Sequence, residues 1–196
     1  MEEEQHLVQG SRQGDLQAFN QLVERYQGQV YNLALRMLGQ EDDAADATQE
    51  AFLSAYRAMG GFRGGDFRSW LLRIAANACR DQVRRAKARP ALSLDAITTL
   101  DPGAGPPSLQ ESPEEHVLRA ELAREVQQCL ALLPEDQRMT VVLVDVQGLS
   151  YEEAATVTRA SLGTVKSRLS RGRAAMRDLL QRQPELLPRQ FRLHRE

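Results

Sequence analysis

The sequence predicts an all-α protein of two small helical domains, on three observations. Apolar residues make up 42% of the chain while aromatics are only 5%, and no run alternates apolar with polar residues as a half-buried strand does. Apolar positions recur instead at intervals of three and four, the period of a helix face. One stretch, residues 90–112, loses that rhythm and fills with Pro, Gly and Ser, so it is predicted to be a flexible linker joining the domains. An ordered surface loop inside one domain is the competing reading of that stretch. At 196 residues the chain suffices for one ordinary domain or two small ones.

The first domain, residues 1–89, is predicted to hold helices at 3–12, 15–38, 42–59 and 66–88. Gly28 is a point where the second helix could bend or break. The segment GGFRGG, residues 60–65, carries too many glycines for a helix and reads as a loop. The second domain, residues 113–182, is predicted to hold helices at 113–132, 134–147, 151–158 and 162–182. Gly148 closes one of these. Ser150 caps the next, and Glu153, three residues on, completes a capping box. Arg159, Ala160 and Ser161 then make a tight turn in which Ser161 caps the last helix. That punctuation is a helix-turn-helix. Residues 183–196 contain two prolines and are read as a tail without a role.

Charge placement carries the functional signal. Net charge is -2 and only two lysines, Lys87 and Lys166, accompany 23 arginines. On the last helix Val165, Leu169, Gly172, Met176, Leu179 and Leu180 form a stripe for burial. Lys166, Ser167, Ser170, Arg171, Arg173 and Arg177 lie opposite, with Arg168 at the boundary. A helix with one anchoring side and one basic, hydroxyl-bearing side suits the DNA major groove, its first turns meeting base edges and its later cations meeting phosphates.

Helix 66–88 repeats the theme. Phe67, Trp70, Leu71, Ile74, Ala75 and Ala78 share one face, while Arg73, Asn77, Arg80 and Arg84 make a narrow basic stripe on another. The adjacent loop offers Phe62 and Arg63. Aromatics for stacking and cations for phosphates are what single-stranded DNA requires. Core packing competes for Trp70, and a core plug beneath the loop competes for Phe62. Helix 42–59 differs: Ala44, Thr48, Ala51, Phe52, Ala55 and Met59 face inward, and Asp46, Gln49, Glu50, Leu53 and Arg57 line the opposite side. An acidic stripe around one leucine suits a protein partner, with a solvated face as the alternative.

Other chemistries are disfavoured. Cys79 and Cys129 stand fifty positions apart, and His6, His116 and His194 are isolated, so neither a zinc site nor a disulfide framework is expected. No nucleophile–base pair or carboxylate cluster suggests an enzyme, and no cofactor or small-molecule substrate is expected. The opening Met-Glu-Glu-Glu is neither a signal peptide nor a membrane span, which predicts a soluble, cytoplasmic protein without direct membrane insertion.

The stretches DATQEAFLSAYRAMGGFRG, FRSWLLRIAANACRDQVRR and LPEDQRMTVVLVDVQGLSYEEAATVTRASLGTVKSRLSRGR resemble the bacterial extracytoplasmic-function sigma factors of the sigma-70 class. The resemblance covers residues 15–89 and 113–180, two blocks in the right order. It implies a region 2 that binds the clamp helices of RNA polymerase and melts the −10 promoter element. It also implies a region 4 that reads the −35 element and touches the polymerase flap. Carried over by motif, Asp46, Gln49 and Glu50 fall on the polymerase-binding helix, and Leu53 joins them from the stripe read above. Phe62, Arg63 and Asn77 fall on the −10 surface, to which the helix face read above adds Trp70, Arg73, Arg80 and Arg84; Thr164, Lys166, Ser167, Arg168 and Arg171 fall on the −35 surface, to which the basic, hydroxyl-bearing side adds Ser170. The resemblance further implies an anti-sigma factor, often membrane-anchored, as regulator. The loop in FRGGDFRSWL is one residue shorter than in some members. A stand-alone helix-turn-helix regulator is the main rival reading, and an enzyme acting on DNA a distant one.

Overall fold

Polar side chains cap several of the helices at their starts. The computed structural model describes residues 2–88 and 113–182. The expected linker at 90–112, the tail at 183–196 and Arg89 lie outside the described residues. α1 (Glu2–Arg12) packs along α2 (Leu16–Leu38), where Gly10 leaves room for Ala18. Gly14 turns the chain at φ +92°, and the Asp15 carboxylate then accepts from the backbone N–H groups of Gln17 and Ala18 at 2.8 and 3.1 Å, satisfying two of the donors that open a helix. α2 runs unbroken through Gly28 and stops at Gly39, whose left-handed φ of 78° lets its N–H close on Leu35 O. Gly28 therefore does not break the helix.

α3 (Glu41–Ala58) opens with Glu41, Asp42 and Asp43, acids placed at the positive end of the helix dipole. Its inward face is a spine of Ala44, Ala47, Ala51 and Ala55, all buried. These small side chains let α3 lie close to α2 and to α4 (Phe67–Ala88), which supply Leu22, Leu33, Met37, Leu71 and Leu72 as filling. Thr48 and Phe52, expected inward, are half-buried at the edge of this spine. Between α3 and α4 the predicted loop begins with a 3₁₀ turn, Met59–Gly61, before Gly64 and Gly65 adopt φ of 91° and 97°. Asp66 caps α4 by accepting from Ser69 N at 2.7 Å.

The second half is α5 (Pro113–Leu132), α6 (Glu135–Val141), α7 (Tyr151–Thr158) and α8 (Leu162–Leu180). The single helix expected over 134–147 is α6 continued by a π-helical segment, Val142–Val146, with Gln147 N–H bonded to Val142 O at 2.9 Å. The widening coincides with Val141, Val142, Val144 and Val146, β-branched residues that crowd an ordinary helical turn. The capping box at Ser150 and Glu153 forms in both directions, at 3.2 and 2.7 Å. Arg159 takes the left-handed conformation, φ 54°, to make the turn between α7 and α8. α8 crosses α6 at Gly172.

The two halves pack on one another, and one buried cluster extends through both. α4 lies against α7, while α5 and α6 meet α2. The C-terminal end of α2, where carbonyls run short of N–H partners within the helix, receives the second half. Gln127 Nε2 donates to Leu35 O and Arg36 O at 3.2 and 3.3 Å, and Arg138 Nη1 donates to Met37 O at 2.7 Å. Arg36 in turn donates to Gln127 Oε1. Burial lowers the guanidinium pKa values of both Arg36 and Arg138. Arg68 on α4 adds bonds to the Gln29 side chain and to Gln147 O.

Candidate nucleic-acid interface

The helix-turn-helix presents α8 in the manner its sequence predicts. Val165, Leu169 and Gly172 are buried, and Met176, Leu179 and Leu180 are half-buried behind them. Ser161 Oγ accepts from Thr164 N at 3.1 Å and bonds Thr164 Oγ1 at 2.8 Å. Thr164 is thus engaged in the cap and half-buried. Lys166, Ser167, Ser170 and Arg171 are exposed along one side. Arg171 leans back on Ser167, its Nε donating to Ser167 O at 3.2 Å, which holds the guanidinium against the helix.

Two other cations of α8 are already matched within the protein. Arg173 makes a two-pronged contact with Asp145, at 3.1 and 2.5 Å, which raises its pKa further. Arg168 pairs with Asp136 at the start of α6. The exposed basic face is therefore Lys166, Arg171 and Arg177.

On α4, Arg73, Asn77 and Arg80 are half-buried and Arg84 is exposed. Arg84 is drawn to Asp81 one turn back, and Arg80 lies 4.0 Å from Asp136. The buried arc of α4 is wider than the face expected for it. Leu72, Ala76 and Cys79 are buried as well, because the helix packs against α2, α3 and α7. Phe62 is 5% exposed and sits among aromatic rings, 5.9 Å from Phe67 edge-on and 5.0 Å from Trp70. Of its two readings the structure displays the core plug beneath the loop. Trp70 is half-buried, with Arg63, Arg73, Glu152, Glu153 and Thr156 around the same cavity of about 540 Å³.

α3 carries a third surface. Asp46, Gln49 and Glu50 are exposed, and Leu53 among them is 43% exposed. This ridge stands between two grooves. One, of about 900 Å³ and mostly apolar, is lined by Leu16, Phe19, Val23, Tyr31, Phe52 and Tyr56 with Leu53. The other, of about 610 Å³, lies toward α4 and includes Asn77, Asp81 and Arg85. The apolar groove was not read from the sequence; its only hint there was Leu53 in a polar stripe. Asp136, Gln127 and Arg138 were missed too. Two acids opening α6 look like ordinary dipole partners, and contacts 91 and 101 residues apart leave no local pattern.

Among the described residues, no group of His, Cys, Asp or Glu could hold a metal ion. No helix there is long and apolar enough to cross a membrane.

Comparison with known proteins matches residues 22–89 to Sigma-70 region 2 and residues 123–176 to Sigma-70, region 4. The RNA polymerase sigma-H factor of Pseudomonas aeruginosa is 40% identical over 183 residues, covering 92% of this chain and 95% of that protein. The ECF RNA polymerase sigma-E factor of Escherichia coli is 40% identical over 182 residues, 91% and 94% of the two chains. The solved structure of CnrH in complex with the cytosolic domain of CnrY is similar with a TM-score of 0.68 and 30% identity, over 92% of this chain and 99% of that one. The sigma factor RpoE in complex with the anti-sigma factor NepR, from Bartonella quintana, has a TM-score of 0.67 over 84% of this chain and 98% of its own. At 24% identity its likeness is one of fold.

Proposed function

The chain belongs to the extracytoplasmic-function sigma factors of the sigma-70 family, and from that membership we propose how its surfaces divide the work of starting transcription. It is an initiation factor, not an enzyme: RNA synthesis belongs to the polymerase that it brings to a promoter. The observation that carries the division is the presence of three chemically different surfaces on one chain. These are an acidic ridge with an apolar groove on α3, a basic stripe on α4, and a helix-turn-helix ending in α8.

The α3 ridge, Asp46, Gln49, Glu50 and Leu53, docks on the basic clamp helices of the polymerase. The acids steer the encounter and Leu53 with the groove beside it gives the apolar contact. On α4, Arg73, Asn77, Arg80 and Arg84, with Arg63 and Trp70, hold the extruded non-template strand of the −10 element. Extruding a base costs a few kcal/mol, which stacking and hydrogen bonding must return. Phe62 supports Trp70 and Phe67 from beneath instead of stacking on a base. Lys166, Ser167, Ser170 and Arg171 of α8 read the −35 element, Thr164 orients the first turn, and Arg168 joins them when Asp136 releases it. Residues 1–89 act as the polymerase and −10 domain and residues 113–182 as the −35 domain. The protein works in the cytoplasm, where its polymerase is.

Silencing follows from the same geography. A protein inhibitor that covers the α3 ridge and fills its apolar groove would exclude polymerase, and CnrH, one structural relative, is held by the cytosolic part of another protein. A stand-alone DNA-binding regulator would have no use for the α3 surface. The deciding experiment is reconstituted run-off transcription. Core polymerase plus the purified chain should initiate at promoters on genomic DNA that core alone ignores. Initiation unchanged by the chain, with duplex binding intact, would establish the stand-alone regulator instead.

A further inference from the structure

The grip on α8 changes along its length. Val165 and Leu169 bury its first turns, and Gly172 lies against Gln137 and Val141 of α6. Beyond that crossing the apolar stripe is only half-buried, at Met176, Leu179 and Leu180. A glycine at the crossing offers no ridge to seat in a groove, so the contact sets how near the two helices come more than the angle between them.

A polar contact stands one turn further on. Gln137, Val141 and Asp145 follow at intervals of four and share one face, which places Asp145 about 6 Å along the axis from Val141. Its carboxylate accepts both prongs of Arg173, from Nε at 3.1 Å and Nη2 at 2.5 Å. Tyr151, the first residue of α7, brings its hydroxyl to the same guanidinium. One side chain thus ties the recognition helix to the two elements that frame it. The side chains of Arg173 and Asp145 are 47% and 34% exposed. An ion pair so open to water adds little stability, but two parallel hydrogen bonds from a planar fork fix a direction. Direction matters at the other end of the helix. Lys166 is six residues from Gly172, about 9 Å, so a tilt of about 10° at the crossing moves it by about 1.5 Å. A hydrogen bond to a base edge tolerates a spread of only about 0.5 Å.

We infer that Arg173 is a positioning residue for −35 recognition. Its fork on Asp145 sets the angle of α8 so that Lys166, Ser167 and Arg171 reach base edges together, and Arg173 itself touches no phosphate. This rests on the reading of α8 as the −35 helix.

The test uses core polymerase carrying the full chain. Its probes are a promoter duplex taken from the run-off assay and the same duplex with the −35 segment scrambled, and the ratio of the two affinities is the readout. Wild type should favour the intact duplex. Arg173→Ala, Arg173→Lys and Asp145→Asn should each lower the ratio about tenfold, the scale of one base contact, at unchanged helical content. Arg173→Lys separates the roles, because it keeps the charge and loses the fork. Arg173→Ala combined with Asp145→Asn should do no worse than either change alone. The salt slope of Arg173→Ala on the intact duplex should remain that of wild type. A phosphate contact gives a different pattern: Arg173→Ala weakens both duplexes alike, with a slope shallower by about 0.9, and Arg173→Lys recovers the loss. That pattern overturns the inference, as does an Asp145→Asn protein that discriminates like wild type. A pair that only stabilises the fold lowers the denaturation midpoint and leaves the ratio intact, which overturns it too. If Arg173→Ala fails to fold, the nearly isosteric Asp145→Asn decides. Wild type that binds both duplexes equally removes the reading of α8, and the inference falls with it.

Discussion

A methyl group added at Gly172 should destabilise the second half, although alanine is the better helix former. A Cβ at this position would lie 2.7 Å from Val141 Cγ2, 3.5 Å from Gln137 O and 3.6 Å from Gln137 Cβ. Carbon atoms are at ease at about 3.5–4.0 Å, so something must move. Val141 is buried and β-branched, with essentially one rotamer open to it in a helix. The relief therefore comes from displacing α8 against α6, and overpacking of this kind costs about 1–3 kcal/mol. Replacing glycine by alanine inside a helix returns up to ~1 kcal/mol, leaving a net loss of about 0–2 kcal/mol. Gly28 is the internal reference: also mid-helix, with nothing within 4 Å of its Cβ position. Gly28→Ala should stabilise by about 0.5–1 kcal/mol. Urea denaturation followed by circular dichroism should separate the two variants by about 1–3 kcal/mol, the overpacking cost itself. Gly172→Ala should also weaken −35 duplex binding, because α6 holds the recognition helix in place. A Gly172→Ala protein as stabilised as Gly28→Ala would refute the close α6–α8 crossing.

The remaining expectations concern partners and pH. Reversing Asp46 and Glu50 to Lys should reduce capture by core polymerase at unchanged helical content; undiminished capture would return the α3 ridge to a solvated face. Arg171→Ala should cost about 1–3 kcal/mol at one preferred −35 position, whereas Arg177→Ala should weaken every sequence alike; binding to a library of −35 duplexes distinguishes them. Burial pushes the Cys79 thiol from its ordinary value near 9 up to about 12. The folded state thus holds that proton more tightly, so the thiol's contribution to stability is complete below pH 9 and is lost as pH rises from there toward 12. Iodoacetamide should leave Cys79 unmodified in the folded protein near pH 8, and denaturation midpoints should decline through the alkaline window.

Much of this arrangement could be read in advance where the signal is local. Ser150 with Glu153, and Ser161 before its helix, announced two helix starts because a cap is a relation between residues three apart. The three-and-four spacing of Val165, Leu169, Gly172 and Met176 oriented α8 for the same reason. What was misread or left open turns on relations that a single helix does not contain. Leu72, Ala76 and Cys79 are buried because α4 is covered from three directions, which a helical wheel cannot register. Phe62 looked as much like a displayed ring as a buried one, since only Phe67 and Trp70 around it decide. Gly28 did not break α2, because one unfavourable residue in 23 is outweighed by packing on both sides. Arg138 and Gln127 were invisible because their acceptors are backbone carbonyls, which every sequence supplies.

The pairing of Arg168 with Asp136 and of Arg173 with Asp145 has a consequence for ions in solution. A cation that replaces counterions on a phosphate gains their release, with log K falling by about 0.9 per contact for each decade of salt. An arginine already matched by a carboxylate gains much less, since the carboxylate must find a new partner of its own. Of the five cations on α8, Lys166, Arg171 and Arg177 remain to contribute fully. Contacts by those three alone correspond to a slope of about −2.7, against about −4.5 for all five. On the proposed reading of α8 as the −35 helix, the internal acids should moderate its attraction to arbitrary duplex DNA, so that base contacts carry a larger share of its total affinity.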